Sequence, residues 1–323
     1  MGHAIVIREY GEPGVLKLEP AQIGAPAPGE LRLSHTAVGV NYHDVYVRSG
    51  LYRTLQLPGT PGLEGVGVVE AVGEGVTGFA PGDRVGYMDP RYGGYATEKL
   101  VRADLAVRLP DAIDDAMAAT VLLKGITAWV LVHKVHPIAP GQTVLVHAAA
   151  GGVGRLLAQW AAHLGADVIG AAGTPEKVAA ARENGCREVI PYREVDFADR
   201  LLELTGGRGA DVIFDAVGKD TFDGSLQALA IRGHLVNYGQ ASGPIPPFEI
   251  SRLAPKSATI SRPGYSHYVA TPPELRETAD ALFKAIADGV LKPERAHAYE
   301  LGDAAQVHAA LEARAPGPFI LLP

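Results

Sequence analysis

Cysteine is almost missing from this chain. Cys186 is the single one among 323 residues, so no intrachain disulfide can form. That fits a reducing compartment, and the cytoplasm is the default. A lone cysteine is ordinarily a small packed hydrophobe. Basic excess is missing too. A formal charge of −7 argues against a nucleic-acid binder. The N-terminal "HAIVIREYG" is strand-like and charged, without a signal-peptide core or the Ser or Thr of a myristoylation motif. The longest apolar run, Ala116 to Val132, is interrupted by Lys124 and Gly125, which counts against a membrane span. Repeats and low-complexity segments are absent.

What is present is ordinary for a globular protein, with 47% apolar and 20% charged residues. The length predicts two domains. Up to about residue 123, short β-rich pieces alternate with Gly/Pro turns: "AIVIREYG", "ELRLSHTAVGVNY", "GVGVVEAVG" and "DRVGYM". Pro81-Gly82-Asp83 marks a turn between two of them. This part reads as a partly closed all-β unit. From about Gln142 the rhythm becomes strand, helix, strand, helix. That alternation predicts a doubly wound α/β domain with a parallel sheet. One more helix, Pro273 to Asp288, precedes short strand-like pieces at the end.

The first strand–helix junction of the α/β part reads "HAAAGGVGRLLAQ". Gly151, Gly152 and Gly154 let backbone approach a pyrophosphate, and the helix start favours its charge. The whole turn, with Ala150 and Val153, is a cofactor-binding candidate. Ala149 replaces the first glycine of the strict G-x-G-x-x-G spacing. The bland alternative is a tight turn without a ligand.

An acid is also missing where dinucleotide-binding folds often carry one. The next strand ends in Ala171-Ala172-Gly173-Thr174, with Ala172 at the position of the ribose-binding Asp or Glu. An acid there would repel a 2′-phosphate. Small residues leave room for it, and Thr174 caps the following helix. Lys177 either carries the countercharge or is a solvated helix lysine. Together these residues favour NADPH over NADH.

Several segments resemble the zinc-free, zeta-crystallin-like quinone oxidoreductases of the medium-chain dehydrogenase/reductase superfamily. They are "GVNYHDVYVRSGLY", "PGLEGVGVVEAVGEGV", "LLKGITAW", "HAAAGGVG", "GTPEK", "PYREVD" and "NYGQASGP", and the likeness spans essentially the whole chain. The resemblance implies a GroES-like β-rich catalytic domain over residues 1–123, completed by 264–323. It implies a Rossmann NADPH-binding domain over 124–263, with the cofactor in the cleft between the two. It implies a homodimer or homotetramer, often paired through Rossmann edge strands, with "SATISR" as the candidate edge.

The alcohol-dehydrogenase branch binds catalytic zinc through Cys and His near these motifs. Here those positions are Asn41 and Leu63, and no thiolate cluster exists, so no metal is expected. His35, His43 and His147 read as packed or exposed histidines. The chemistry then falls on the cofactor, with hydride or electrons passing to a small quinone. The resemblance implies that Asn41 contacts the ribose or nicotinamide side. It sets Tyr46 and Tyr52 against the acceptor as an aromatic wall with phenolic donors. Thr127 would lie by the nicotinamide. Gly173, Thr174, Lys177 and Tyr192 would surround the 2′-phosphate or adenine. Tyr238 and Gly239 would line the diphosphate–nicotinamide path, and Arg314 would reach the cofactor. Each tyrosine could instead be an ordinary half-buried one, and Arg314 a surface arginine.

Arg53, Pro318 and the polar, aromatic "SRPGYSHY" depart from the family pattern and bear on the acceptor's size and charge. Two other readings stay open. One is an enoyl or alkenal reductase, with a tyrosine as proton donor to an enone. The other is an NADPH-binding protein without important turnover.

Overall fold

A computed structural model describes residues 2–323. The described chain divides into two compact units. One holds residues up to Leu123 together with 271–283 and 293–323; the other holds 124–270 and 284–292.

In the first unit, β1 (Gly2–Val6) pairs antiparallel with β2 (Lys17–Ala21). β3 (Glu30–Gly39), β4 (Glu64–Val72), β5 (Arg84–Met88) and β7 (Ala106–Arg108) follow one another across an antiparallel sheet, and β6 (Glu98–Arg102) pairs with β3. The alternating residues Leu31 and Leu33 point into a core with Val69, Val85, Tyr87 and Val101. Gly82, at φ 92°, makes the turn before β5. The segment after β3 is not a continued strand. Asn41 caps α1 (Tyr42–Ser49), its N–H donating to Asp44 Oδ2 at 2.9 Å, and left-handed Gly50 ends the helix. Local capping overrides the β-like run that precedes it.

α2 (Asp115–Val130) runs straight through Lys124 and Gly125, which do not break it. With the π turn that follows, residues 115–135 are long and apolar enough to cross a membrane by length and composition. The apolar window is 78% buried inside the fold, as in a core helix. Lys124 is itself buried, its aliphatic stem packed beside Gly152.

The second unit alternates as the sequence predicts. β8 (Thr143–His147), α3 (Gly152–His163), β9 (Asp167–Ala172), α4 (Pro175–Glu183) and β10 (Glu188–Pro191) form its first half. α5 (Phe197–Leu204), β11 (Ala210–Asp215), α6 (Phe222–Ala228), β12 (Leu229–Asn237) and β13 (Thr259–Ser261) form its second. The sheet order is β10-β9-β8-β11-β12-β13, all parallel, so the winding reverses between β8 and β11. Leu145, Ile169, Ile213 and Leu235 are fully buried at its centre. This is a Rossmann arrangement, and ligands of such sheets bind outside the carboxyl ends of the strands.

The chain returns through α7 (Pro272–Ala287), β14 (His297–Glu300), α8 (Ala304–Glu312) and β15 (Phe319–Leu322), with β15 antiparallel to β3. The return differs from the single crossing at 264 that the resemblance implies. Residues 284–292 group with the second unit, where Gln159 Oε1 accepts the Lys292 N–H at 2.7 Å. Helix α8 was also not foreseen. Its buried Ala304, Val307 and His308 face inward, and His308 Nε2 lies 3.0 Å from the Tyr95 hydroxyl. Tyr95 donates to Asp44 Oδ2 at 3.1 Å, and buried Arg48 pairs with Glu312 at 2.6 Å, which ties α8 to α1.

Burial holds several histidines neutral. His35, His43 and His234 are pushed down to about 4, and His308 to about 3. An unfolded chain would protonate these rings from near pH 6.5 downward, whereas the folded one resists until about 4. Stability should therefore be full above pH 6.5 and decline as pH falls toward 4. Thermal melting followed from pH 8 to 4 checks this; a flat melting temperature would mean that the rings are solvated.

Candidate cofactor and acceptor site

In the second unit the phosphate-binding candidates lie where β8 feeds α3. Gly151 is the N-cap of α3, with no side chain to occupy the first-turn N–H groups of Gly152, Val153 and Gly154. Gly151 and Gly152 are exposed and Ala150 is half-buried. A Cβ on Gly154 would come within 2.3 Å of the Ala148 carbonyl oxygen, so the third glycine serves close helix–strand packing. The alanine at 149 is accommodated because Ala148, at φ 52°, takes the left-handed turn conformation. Ala149 itself is fully buried, and its N–H donates to the Ala171 carbonyl at 3.2 Å.

β9 ends at Ala172, which is buried and uncharged. Thr174 caps α4, accepting the Lys177 N–H at 3.4 Å, with Pro175 at the first helical position. Tyr192 follows β10, and its N–H donates to the Ala172 carbonyl at 3.2 Å. Its hydroxyl stands over Gly173, where a Cβ would lie 2.5 Å away. The structure thus brings Gly173, Thr174, Lys177 and Tyr192 to the ends of two adjacent strands.

Tyr238 and Gly239 follow β12. Their N–H groups donate to the Asp215 carbonyl at the end of β11, at 2.8 and 3.3 Å. Three further side chains set this corner. Buried Asp215 accepts the Val217 N–H and the Thr221 hydroxyl. Asn237 donates to Asp215 and to the Gly239 carbonyl, and Arg262 donates to the same carbonyl at 2.8 Å. Sequence reading noted Arg262 only as part of "SRPGYSHY".

Asn41, Tyr46, Tyr52 and Arg314 belong to the first unit. Thr127 lies on α2 in the second, half-buried. Tyr46 stands edge-on to Tyr52 at 5.0 Å between ring centres, and His43 stands edge-on to Tyr52 at 5.2 Å. His43 Nε2 also meets the Tyr92 hydroxyl at 3.2 Å, which Thr54 shares. Arg314 occupies a left-handed turn after α8, near enough to Tyr42 for its charge to act on that phenol. Arg53 lies over the Tyr10 ring, 5.6 Å from its centre.

The missed residue of this group is Glu64. It opens β4 fully buried, accepting Asn41 Nδ2–H at 2.7 Å and the Leu123 N–H at 2.9 Å. The available signal was a lone acid among Gly and Val in "PGLEGVG".

These residues do not suit zinc. Among the described residues no three His, Cys, Asp or Glu side chains converge as donors. Cys186 is in the second unit, with burial pushing its thiol up to about 12. His35 is consumed by the Ala96 carbonyl and the Tyr87 hydroxyl, and His147 by Ser225.

Residues 27–111 match the alcohol dehydrogenase GroES-like domain, and residues 152–284 match the zinc-binding dehydrogenase family. A quinone oxidoreductase of Pseudomonas aeruginosa is 42% identical over the full length of both chains. The chain belongs to the zeta-crystallin-like quinone oxidoreductases. A 2-haloacrylate reductase of a Burkholderia species is 41% identical, covering 99% of this chain and 98% of its own. The crystal structure of Escherichia coli quinone oxidoreductase complexed with NADPH superposes with a TM-score of 0.97 at 40% identity, covering 99% of this chain and all of that one. The second family's description names zinc, and among the described residues no three His, Cys, Asp or Glu side chains converge as donors for it.

Close packing around Glu64 generates a test. A Cβ on Gly39 would come within 2.3 Å of Glu64 Oε1 and 2.5 Å of the Ala119 carbonyl oxygen. Gly39→Ala should cost about 1–3 kcal/mol of stability by overpacking, measured by urea unfolding. Wild-type stability would show that Glu64 and α2 move aside freely.

Proposed function

We propose that the chain is an NADPH-dependent reductase of small quinones that works without zinc. The observation that carries this reading is the end of β9, with neutral Ala172, capping Thr174, Lys177 and Tyr192 around Gly173. These residues would hold a 2′-phosphate, and the α3 N-terminus would hold the pyrophosphate. Bound NADPH supplies the hydride. Asn41 and Thr127 orient the nicotinamide side, Tyr238 and Gly239 line the path to it, and Arg314 adds a cofactor contact. Tyr46 and Tyr52 form the acceptor wall, and their phenols donate to the oxyanion that develops. A quinone is already electrophilic, so no Lewis acid is required.

NADPH should be consumed with small benzoquinones, and NADH used poorly. Equal rates with both would sink the phosphate-pocket reading. Lys177→Ala should weaken NADPH binding by about 1–3 kcal/mol, the scale of a charge-assisted hydrogen bond. Unchanged affinity in a fluorescence titration would assign Lys177 to solvent.

The likeness to a 2-haloacrylate reductase favours a second reading, reduction of an activated C=C bond. Parallel assays with quinones, enones and 2-haloacrylates separate the two. NADPH binding without turnover on any of them would favour a cofactor-binding role.

The outer edge of β13 supports pairing with a second copy, since among described strands β13 bonds only to β12. Sedimentation should then give a multiple of 33.9 kDa; a monomer at micromolar concentration would count against it. The unpaired Cys186 supports a reducing, cytoplasmic setting.

A further inference from the structure

A chain of hydrogen bonds in the first unit ends beside the tyrosines read as the acceptor wall. Thr54 Oγ1 and His43 Nε2, the latter at 3.2 Å, share the Tyr92 hydroxyl. The outer member, Thr54, is exposed, whereas Tyr92 is buried and His43 half-buried. At the other end the His43 ring stands edge-on to Tyr52 at 5.2 Å between centres, and Tyr52 stands edge-on to Tyr46.

Tyr92 is held in a strained backbone conformation. Its φ of 66° lies in the left-handed region, which bulky residues rarely enter. The Asp89 carbonyl accepts its N–H at 3.0 Å, and Lys99 donates to its carbonyl, which fixes the backbone there. Strain of this kind persists only where neighbours impose it, and it gathers at functional sites. The ring alone would fill the space; the hydroxyl is what joins Thr54 to His43.

Counting protons gives the chain a direction. A phenol has one proton and donates to only one of its two partners. In one arrangement Thr54 donates to Tyr92 and Tyr92 donates to Nε2, which leaves the ring proton on Nδ1. In the other, Nε2–H donates to Tyr92 and Tyr92 to Thr54, which leaves Nδ1 bare. Among the described residues Nδ1 has no hydrogen-bond partner. The two arrangements differ by one proton shifted along the whole chain, so they are the start and end of a transfer through it. Burial holds His43 down at about 4 and raises the Tyr92 phenol, so both are neutral at pH 7. A neutral imidazole gives up its Nδ1 proton readily only as Nε2 receives another, and Tyr92 stands where it supplies one.

We propose that Thr54, Tyr92 and His43 form a proton relay that carries the second proton of quinone reduction from solvent to the acceptor. This rests on the reading of Tyr46 and Tyr52 as the acceptor wall. Hydride from NADPH brings two electrons and one proton, and leaves the quinone as a hydroquinone monoanion. His43 Nδ1–H breaks as O–H forms on that anion. Nε2 takes the Tyr92 proton, Tyr92 takes the Thr54 proton, and a solvent acid reprotonates Thr54. Once the neutral hydroquinone leaves, Nδ1 regains a proton from solvent and the chain runs back.

Tyr92→Phe keeps the ring and removes the link. His43→Gln can still accept from Tyr92 but cannot pass a proton on. Both are compared with wild type by thermal melting, NADPH fluorescence titration and stopped-flow single turnovers with benzoquinone in H2O and D2O. Both should melt cooperatively and bind NADPH as wild type does. Wild type should turn over more slowly in D2O. Each variant should turn over about tenfold to a hundredfold more slowly, up to the scale of a positioned acid. Each should also lose most of the solvent isotope effect, because hydride then moves without a coupled proton. Wild-type rates in either variant overturn the proposal, and so does a wild type without a solvent isotope effect. A slower variant that keeps the full isotope effect marks a packing role and overturns it too. Should Tyr92→Phe fail to fold, His43→Gln carries the test; failure of both to fold makes the cluster structural and overturns the relay. Wild-type protein that reduces no quinone would instead overturn the functional reading itself.

Discussion

Burying the Glu64 carboxylate is the constraint around which the first unit is organised. A carboxylate with no access to water must find donors, and here they come from the cap of α1 and the backbone of α2. Satisfying it brings Asn41 into line at the start of α1. It also forces Gly39 to lack a side chain, because β3 passes within contact distance of both the carboxylate and the Ala119 carbonyl. Asp44 extends the same logic one turn along α1, where it accepts Asn41 N–H and the Tyr95 hydroxyl. The C-terminal helix α8 joins through His308 and Glu312. The requirement to pair buried polar groups thus connects distant stretches of sequence to the first turn of one short helix.

The second unit treats acids in the opposite way. At the end of β9 the acid is absent, and Ala172 leaves the space before α4 uncharged. At the end of β11 an acid is present, but Asp215 is spent on its own loop, holding Val217, Gly218 and Thr221. The end of β9 carries no acid, whereas the end of β11 is closed by hydrogen bonds and places Tyr238 and Gly239.

Much of this was readable because it is local. Strand–helix alternation from Gln142 onward, the Thr174-capped start of α4, and the Pro81-Gly82-Asp83 turn all follow from short-range chemistry. The misses share a cause. Helix α1 begins inside a β-like run because Asn41 and Asp44 cap it, and neither signal extends beyond four residues. Helix α8 is held by Tyr95 and Arg48, more than 200 residues away in sequence. Lys124 and Gly125 look like a break only until their burial, with the Lys124 stem beside Gly152, is known. Glu64 is not legible from local spacing because the partners it accepts from, Asn41 and Leu123, lie 23 and 59 residues away in sequence.

Charge distribution bears on which acceptor suits the proposed wall. His43 is pushed down to about 4 by burial and is neutral at pH 7. Burial also raises the Tyr92 phenol, which therefore stays protonated. Tyr46 and Tyr52 add two more aromatic rings in edge-on contact. Among the cations of this unit, Arg48 pairs with Glu312 and Arg53 lies over Tyr10, while Arg314 acts on Tyr42, whose ring stands edge-on to Tyr46. Such a wall would suit a flat aromatic acceptor and supply phenolic donors to a developing oxyanion.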